Sequence, residues 1–154
     1  MTIFDATIDR STLMYRLGLL TRRWRQILDA QFQSAGLTDA TWRPLLHLDF
    51  LGDGCRQKDL AAAVGIEGPS LVRLLDTLVA KGFVERSEDA ADRRAKLLRL
   101  TPEGREVVTR IRATVTTLED DLLSPFSDDD IARVAEVIGR LESTVGDARR
   151  RGKR

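Results

Sequence analysis

A chain of 154 residues, 42% hydrophobic and 32% charged, has enough apolar material for one cored domain and too much for a disordered segment. No apolar run nears the ~20 residues that cross a bilayer, and the opening Met-Thr-Ile-Phe-Asp lacks the basic-then-apolar order of a signal peptide, so a cytoplasmic protein with no membrane partner is expected. The net charge of +1 favours no partner, but cations cluster at Arg22, Arg23 and Arg25, at Arg73, Arg93, Arg94 and Lys96, and in a basic tail over 147–154, and local field rather than the sum governs association with nucleic acid.

In chain order, a long helix is predicted over 11–35, where Leu13, Leu17, Leu20, Trp24, Ile27/Leu28 and Phe32 recur at steps of three and four. A second helix, capped by Thr38 or Asp39, carries Trp42, Leu45, Leu46 and Leu48, with Pro44 expected in its first turn. Gly52 to Gly54 breaks the chain. A short third helix follows over 57–64, with Leu60, Ala61 and Val64 inward and Gly65 as its stop.

The fourth helix begins at Pro69, which suits a first helical position, and ends near Gly82. Leu71, Leu74, Leu75, Leu78 and Val79 form its apolar face. Ser70, Arg73 and Thr77 fall opposite, a cation and two hydroxyls that suit phosphates and base edges. A β-hairpin is predicted next, from 83–86 and 96–100, with a long loop holding Asp92-Arg93-Arg94. Thr101-Pro102-Glu103 starts a helix running to about Leu123, striped by Val108, Ile111, Val115, Leu118 and Leu122. Ser127 with three aspartates starts the last helix, lined by Ile131, Val134, Ile138, Leu141 and Val145.

The fold class expected is therefore mainly α with a small β-hairpin wing. Helices three and four make a helix-turn-helix, and the hairpin makes it winged. Together 65–78, the following Lys-Gly-Phe-Val-Glu-Arg, the DRRAK run at 92–96 and Leu-Thr-Pro-Glu-Gly at 100–104 resemble the MarR family of bacterial transcription regulators, in its SlyA-like branch. The resemblance extends upstream through 37–42 and 57–65 and covers nearly the whole chain.

That resemblance implies a single domain over 1–154. A winged helix-turn-helix lobe would occupy 38–101. The helices over 11–35 and 102–146 would intertwine with a second copy, using Leu13, Leu17, Leu118, Leu122, Ile138, Leu141 and Val145. The apolar stripes argue the same way, since the small central module cannot cover them and two-fold dimers are the commonest soluble oligomers. The partner would be double-stranded DNA with a pseudo-palindromic operator, near the nucleoid. Pro69, Ser70, Arg73 and Thr77 would enter the major groove, and Asp92, Arg93, Arg94 and Lys96 would serve the wing. By the family's D-x-R pattern Asp92 braces Arg94 and leaves Arg93 for the minor groove, although the two arginines can exchange roles.

Trp24, Arg25, Trp42 and Arg43 suit either core packing or an effector pocket, in which an aromatic wall and an arginine would take a small aromatic carboxylate or phenol. His47 lies at the same junction, but the pocket histidine of some SlyA-like relatives falls at Leu46, so that role is not carried over to it, and Cys55 is read as an inert thiol. The basic tail is expected to be disordered. One Cys and one His, without a Gly-rich phosphate loop or a Ser-His-Asp set, leave no basis for an enzyme, a metal or a cofactor. The reading is a ligand-responsive dimeric repressor. Its alternative is a winged-helix counter-silencer or architectural factor with no small-molecule ligand.

Overall fold

The computed structural model describes residues 7–66 and 68–152. The chain divides into two compact units, Met1–Val115 and Thr116–Arg154. The first holds helices α1 (Leu13–Ser34), α2 (Asp39–Leu51), α3 (Gln57–Val64) and α4 (Pro69–Ala80). It also holds strands β1 (Cys55–Arg56), β2 (Val84–Glu88) and β3 (Lys96–Leu100), and the start of α5 (Pro102–Leu123). The second holds the end of α5 and α6 (Asp128–Arg151).

The core of the first unit is built from leucine. Leu45, Leu60, Leu75, Leu78, Leu98 and Ile111 are its largest fully buried side chains, one or more from each of α2, α3, α4, β3 and α5. The leucine face of α4 is narrower than its spacing suggests, because Val79 is 40% exposed and Leu74 is half-buried. Phe32 of α1 stacks on Trp42 of α2, with ring centroids 5.0 Å apart and planes tilted by 33°. The Trp42 indole N–H donates to Asp29 Oδ1 at 2.9 Å, which pairs the one polar atom of a buried ring.

Pro44 is in the second turn of α2, not the first. Its missing N–H leaves the carbonyl of Ala40 without a helical donor, but Ala40 is exposed and water can serve it. The hairpin forms, but its first strand runs Val84–Glu88 and not 83–86, because Ser87 and Glu88 pair with Leu97 and Lys96 and shorten the loop. The sheet has a third strand that the sequence reading lacks. β1 pairs antiparallel with β3, Cys55 opposite Leu98, giving the order β1-β3-β2.

Thr101 joins the wing to α5. Its hydroxyl accepts the Gly104 amide at 3.0 Å, as a capping residue does, and donates to the Gly82 carbonyl at 2.6 Å. Its amide donates to the Phe83 carbonyl at 3.0 Å. This brings the first turn of α5 so close to Phe83 that a Cβ on Gly104 would lie 2.1 Å from that carbonyl oxygen. Only glycine fits there.

In the second unit Ser127 caps α6 reciprocally with Asp130. Three aspartates sit in its first turn and Arg149, Arg150 and Arg151 in its last, each set matched to the helix dipole. The expected loose tail is thus corrected as far as Arg151, where the cations extend the helix instead of fraying from it. Lys153 and Arg154 lie outside the described residues.

Candidate nucleic-acid interface

α3, the turn through Gly65, Ile66 and Gly68, and α4 form the helix-turn-helix. Gly65 closes α3 in the left-handed region, at φ 75°, and Pro69 opens α4. Leu71, Leu75 and Leu78 are buried, which turns Pro69, Ser70, Arg73 and Thr77 outward together, all exposed. The Thr77 hydroxyl donates to the Arg73 carbonyl at 3.0 Å and so keeps its acceptor lone pairs outward. Asp76 flanks this face and takes Arg86 of β2 at 2.7 Å, tying α4 to the wing.

The wing loop is organised by two aspartates. Asp92 Oδ1 accepts the Arg94 backbone N–H at 3.0 Å. It therefore braces the main chain at Arg94 and not its guanidinium, which corrects the expected side-chain pair. The short separation of two residues favours this local backbone bond over a longer one. Asp89 carries the larger share and was missed in the sequence. Its Oδ1 accepts the Ala91 amide at 2.9 Å, and its Oδ2 takes Arg56 of β1 at 3.1 Å. Asp89 and Ala95 close the loop between them, Asp89 N–H to Ala95 O at 3.1 Å. Arg93 and Arg94 remain exposed, and Lys96 pairs with Glu88 across the hairpin at 2.9 Å. Beneath the loop, Arg56, Gln57, Lys58, Asp92, Arg94, Ala95 and Lys96 line a small cleft of about 210 Å³, so Arg56 and Lys58 add cations to the wing's.

A second, larger cleft of about 500 Å³ opens between α1, α2 and α3. Arg22 and Arg25 line it from α1, with Gly18 and Thr21. Arg43 and His47 line it from α2, and Ala63 and Val64 from α3. Arg25 and Arg43 are thus where an effector pocket was expected, but the aromatic wall is not. Trp42 is 2% exposed in the core, and the half-buried Trp24 is not among the lining residues. His47, to which the relatives' histidine role is not carried over, lines it. Burial, and next the charge of Arg43, hold its imidazole below the ordinary 6.5. Among the described lining residues none is a carboxylate.

Cys55 is half-buried in β1. Burial, then Asp59 and Asp53, push its thiol above its ordinary range, which disfavours the reactive thiolate. The residues assigned to dimerisation are all incompletely covered. Leu13, Leu17, Leu118 and Leu141 are half-buried, and Leu122, Ile138 and Val145 are exposed. No helix among the described residues is long and apolar enough to cross a membrane.

A family model described as the MarR family matches residues 35–95, the helix-turn-helix and most of the wing. The transcriptional regulator PA3341 is 36% identical over 86% of this chain and 97% of its own, with a TM-score of 0.79. MepR of S. aureus, solved in a DNA-binding conformation, is 25% identical over 86% of this chain and 97% of its own, at 0.74. SlyA, at 21% identity over 88% of this chain and 95% of its own and a TM-score of 0.74, shares the fold, so the SlyA-like branch gains little support from it. With the winged helix, the capped α5 and these matches together, the chain belongs to the MarR family of transcription regulators.

Proposed function

We propose that the protein is a homodimeric repressor that binds a pseudo-palindromic operator and is released from it by a small anionic effector. The observation that carries the DNA reading is the outward face of α4. Three buried leucines fix the helix, and Ser70, Arg73 and Thr77 share its exposed side. Arg73 is then the residue for a bidentate guanine contact, and Ser70, beside the N-terminus of α4, for a phosphate. The exposed Arg93 and Arg94 would enter a narrow minor groove, Asp92 would shape their loop, and Pro69 and Lys96 would flank the contacts. The S. aureus MepR structure in a DNA-binding conformation supports the reading by analogy.

The dimer is argued from apolar surface. Met14, Leu20 and Ile27 on α1, and Val134, Val137, Ile138 and Val145 on α6, are exposed in a single chain. A second copy related by a two-fold axis would cover such stripes and set two recognition helices one DNA turn apart. The effector is argued from the cleft, whose arginines suit a carboxylate. An aromatic or phenolic ring remains compatible with its volume but has no aromatic wall to stack on.

Fluorescence anisotropy with DNA from upstream of the gene's own start tests the reading. Tight, salt-dependent binding of two chains per site is expected. Equal affinity for unrelated DNA would favour the architectural alternative, and no binding at all would refute both.

A further inference from the structure

We propose that Arg43 is the residue that passes occupancy of the α1–α2–α3 cleft by a small anion to the recognition helix. The inference rests on the effector reading above and adds its path.

Among the described residues, two side-chain hydrogen bonds tie α2 to the helix-turn-helix, one on each side of α4. Before α4, Arg43 Nη2 donates to the Val64 carbonyl at 2.7 Å. After it, Lys81 Nζ donates to Thr41 Oγ1 at 3.3 Å. Val64 ends α3, and its carbonyl is one of those a helix terminus leaves without an internal donor. The carbonyl of Ala61 takes the amides of Gly65 and Ile66 at 2.9 and 3.2 Å, while that of Val64 takes Arg43. The turn into Pro69 of α4 leaves directly from this point.

Only one of the two links faces the cleft. Arg43 and Val64 both line it, whereas Thr41 and Lys81 do not. The Arg43 side chain is 14% exposed, so it reaches the cleft without being dissolved in solvent. Its other contact is Asp39, at 3.5 Å, one helical turn back. A guanidinium has five donors in a fixed plane, and a carboxylate in the cleft offers two oxygens in the matching fork. A neutral carbonyl is the weaker partner. An anion held also by Arg22, Arg25 and His47 would therefore draw the Arg43 fork toward itself and away from Val64. The α3 terminus would lose this donor, and the turn before α4 would lose its side-chain tie to α2. The operator-competent pose of α4 would become less populated. By linkage the operator would weaken anion binding by the same factor.

The test uses the full-length protein, its upstream DNA, and benzoate and succinate as probes against chloride at matched ionic strength, since operator affinity falls with salt in any case. In the parent, at least one probe should weaken operator binding tenfold or more and speed amide exchange at Gly65 and Ile66. Arg25→Gln, on the far wall of the cleft, should raise the probe concentration needed to release the operator. Arg43→Gln should bind the operator several-fold more weakly without probe and show no further response. Arg43→Lys keeps the charge but loses the fork, and serves if the glutamine variant melts early. It should respond less than threefold. Arg43 variants that release the operator as the parent does would overturn the coupling while leaving an effector-responsive regulator intact. A parent that binds the operator but responds to neither probe would overturn the coupling and the anionic effector together. A parent that binds no DNA ends the whole reading.

Discussion

The lobe formed by α2, α3, α4 and the three strands and the terminal helix α6 handle apolar residues in opposite ways. The lobe fully buries Leu45, Leu60, Leu75, Leu78 and Leu98 within one chain. α6 has a capping box, a dipole-matched charge pattern and an apolar stripe, yet none of its residues is buried. Local signals are as clean in one region as in the other. The lobe's partner surfaces lie in the same chain, whereas the partner proposed for the stripe of α6 is a second copy.

The largest expected effects break that contrast from both sides. Leu75→Ala empties a fully buried position and should cost about 2–5 kcal/mol of stability. In a dimer the sedimenting mass of the folded fraction would stay that of two chains. Val145→Asp should do the reverse. It places a charge in the proposed interface twice, once per copy, at about 2 kcal/mol or more each. Sedimentation at micromolar concentration should show single chains, and operator binding should fall with the mass. If the parent itself sediments as a folded single chain, the stripe of α6 has been misread.

Next in size is Arg73→Ala. A bidentate guanine contact is worth about 1–3 kcal/mol, and Arg73 touches nothing in the core, so operator affinity should fall while the melting temperature stays. Equal affinity of the variant and parent would remove α4 as the base reader. The wing effects should be smaller, at about 1 kcal/mol for a partly exposed charged pair. Asp89→Asn removes the Arg56 link and weakens the hold on Ala91, so operator affinity should drop although a negative charge is lost. Asp92→Ala should lower it less, because one backbone bond is involved. Tighter binding by either variant would mean that the aspartates oppose DNA through their charge and do not shape the loop.

Those wing residues show where sequence legibility ended. The leucine periodicity of α4, the Pro69 start, the Thr101 cap and the hairpin all depend on neighbours a few positions away, and each could be seen in the chain. β1 is two residues between a Gly turn and a helix start, too short to show alternation. Asp89 meets Arg56 across 33 positions, and no local pattern announces that pair. The cleft was half legible for the same reason. Arginines near Trp42 suggested a pocket, but Phe32 and Asp29 draw the indole inward, and His47 meets the cleft only because α1 and α3 pack beside its face.

The smallest predicted effect concerns His47 and sharpens the contrast within the lobe itself, between its sealed core and its cationic cleft. Burial, then the neighbouring Arg43, depress the imidazole below 6.5. The unfolded chain binds that proton more readily, so His47 costs no stability above about pH 6.5. The loss begins as pH falls through that value and is complete below the folded pKa. His47→Gln should therefore flatten a modest decline in melting temperature between neutral and mildly acid pH. The chain has one histidine, so its ring signals in a proton NMR titration belong to His47 alone. Without anion the midpoint should lie below 6.5. Arg43→Gln should raise it by removing a cation, and a bound carboxylate should raise it further by supplying an anion. Anion binding should then take up protons near neutral pH, measurable as a buffer-dependent heat. A midpoint at or above 6.5 in the anion-free parent would mean that the imidazole is open to water and that the cleft does not hold it among cations.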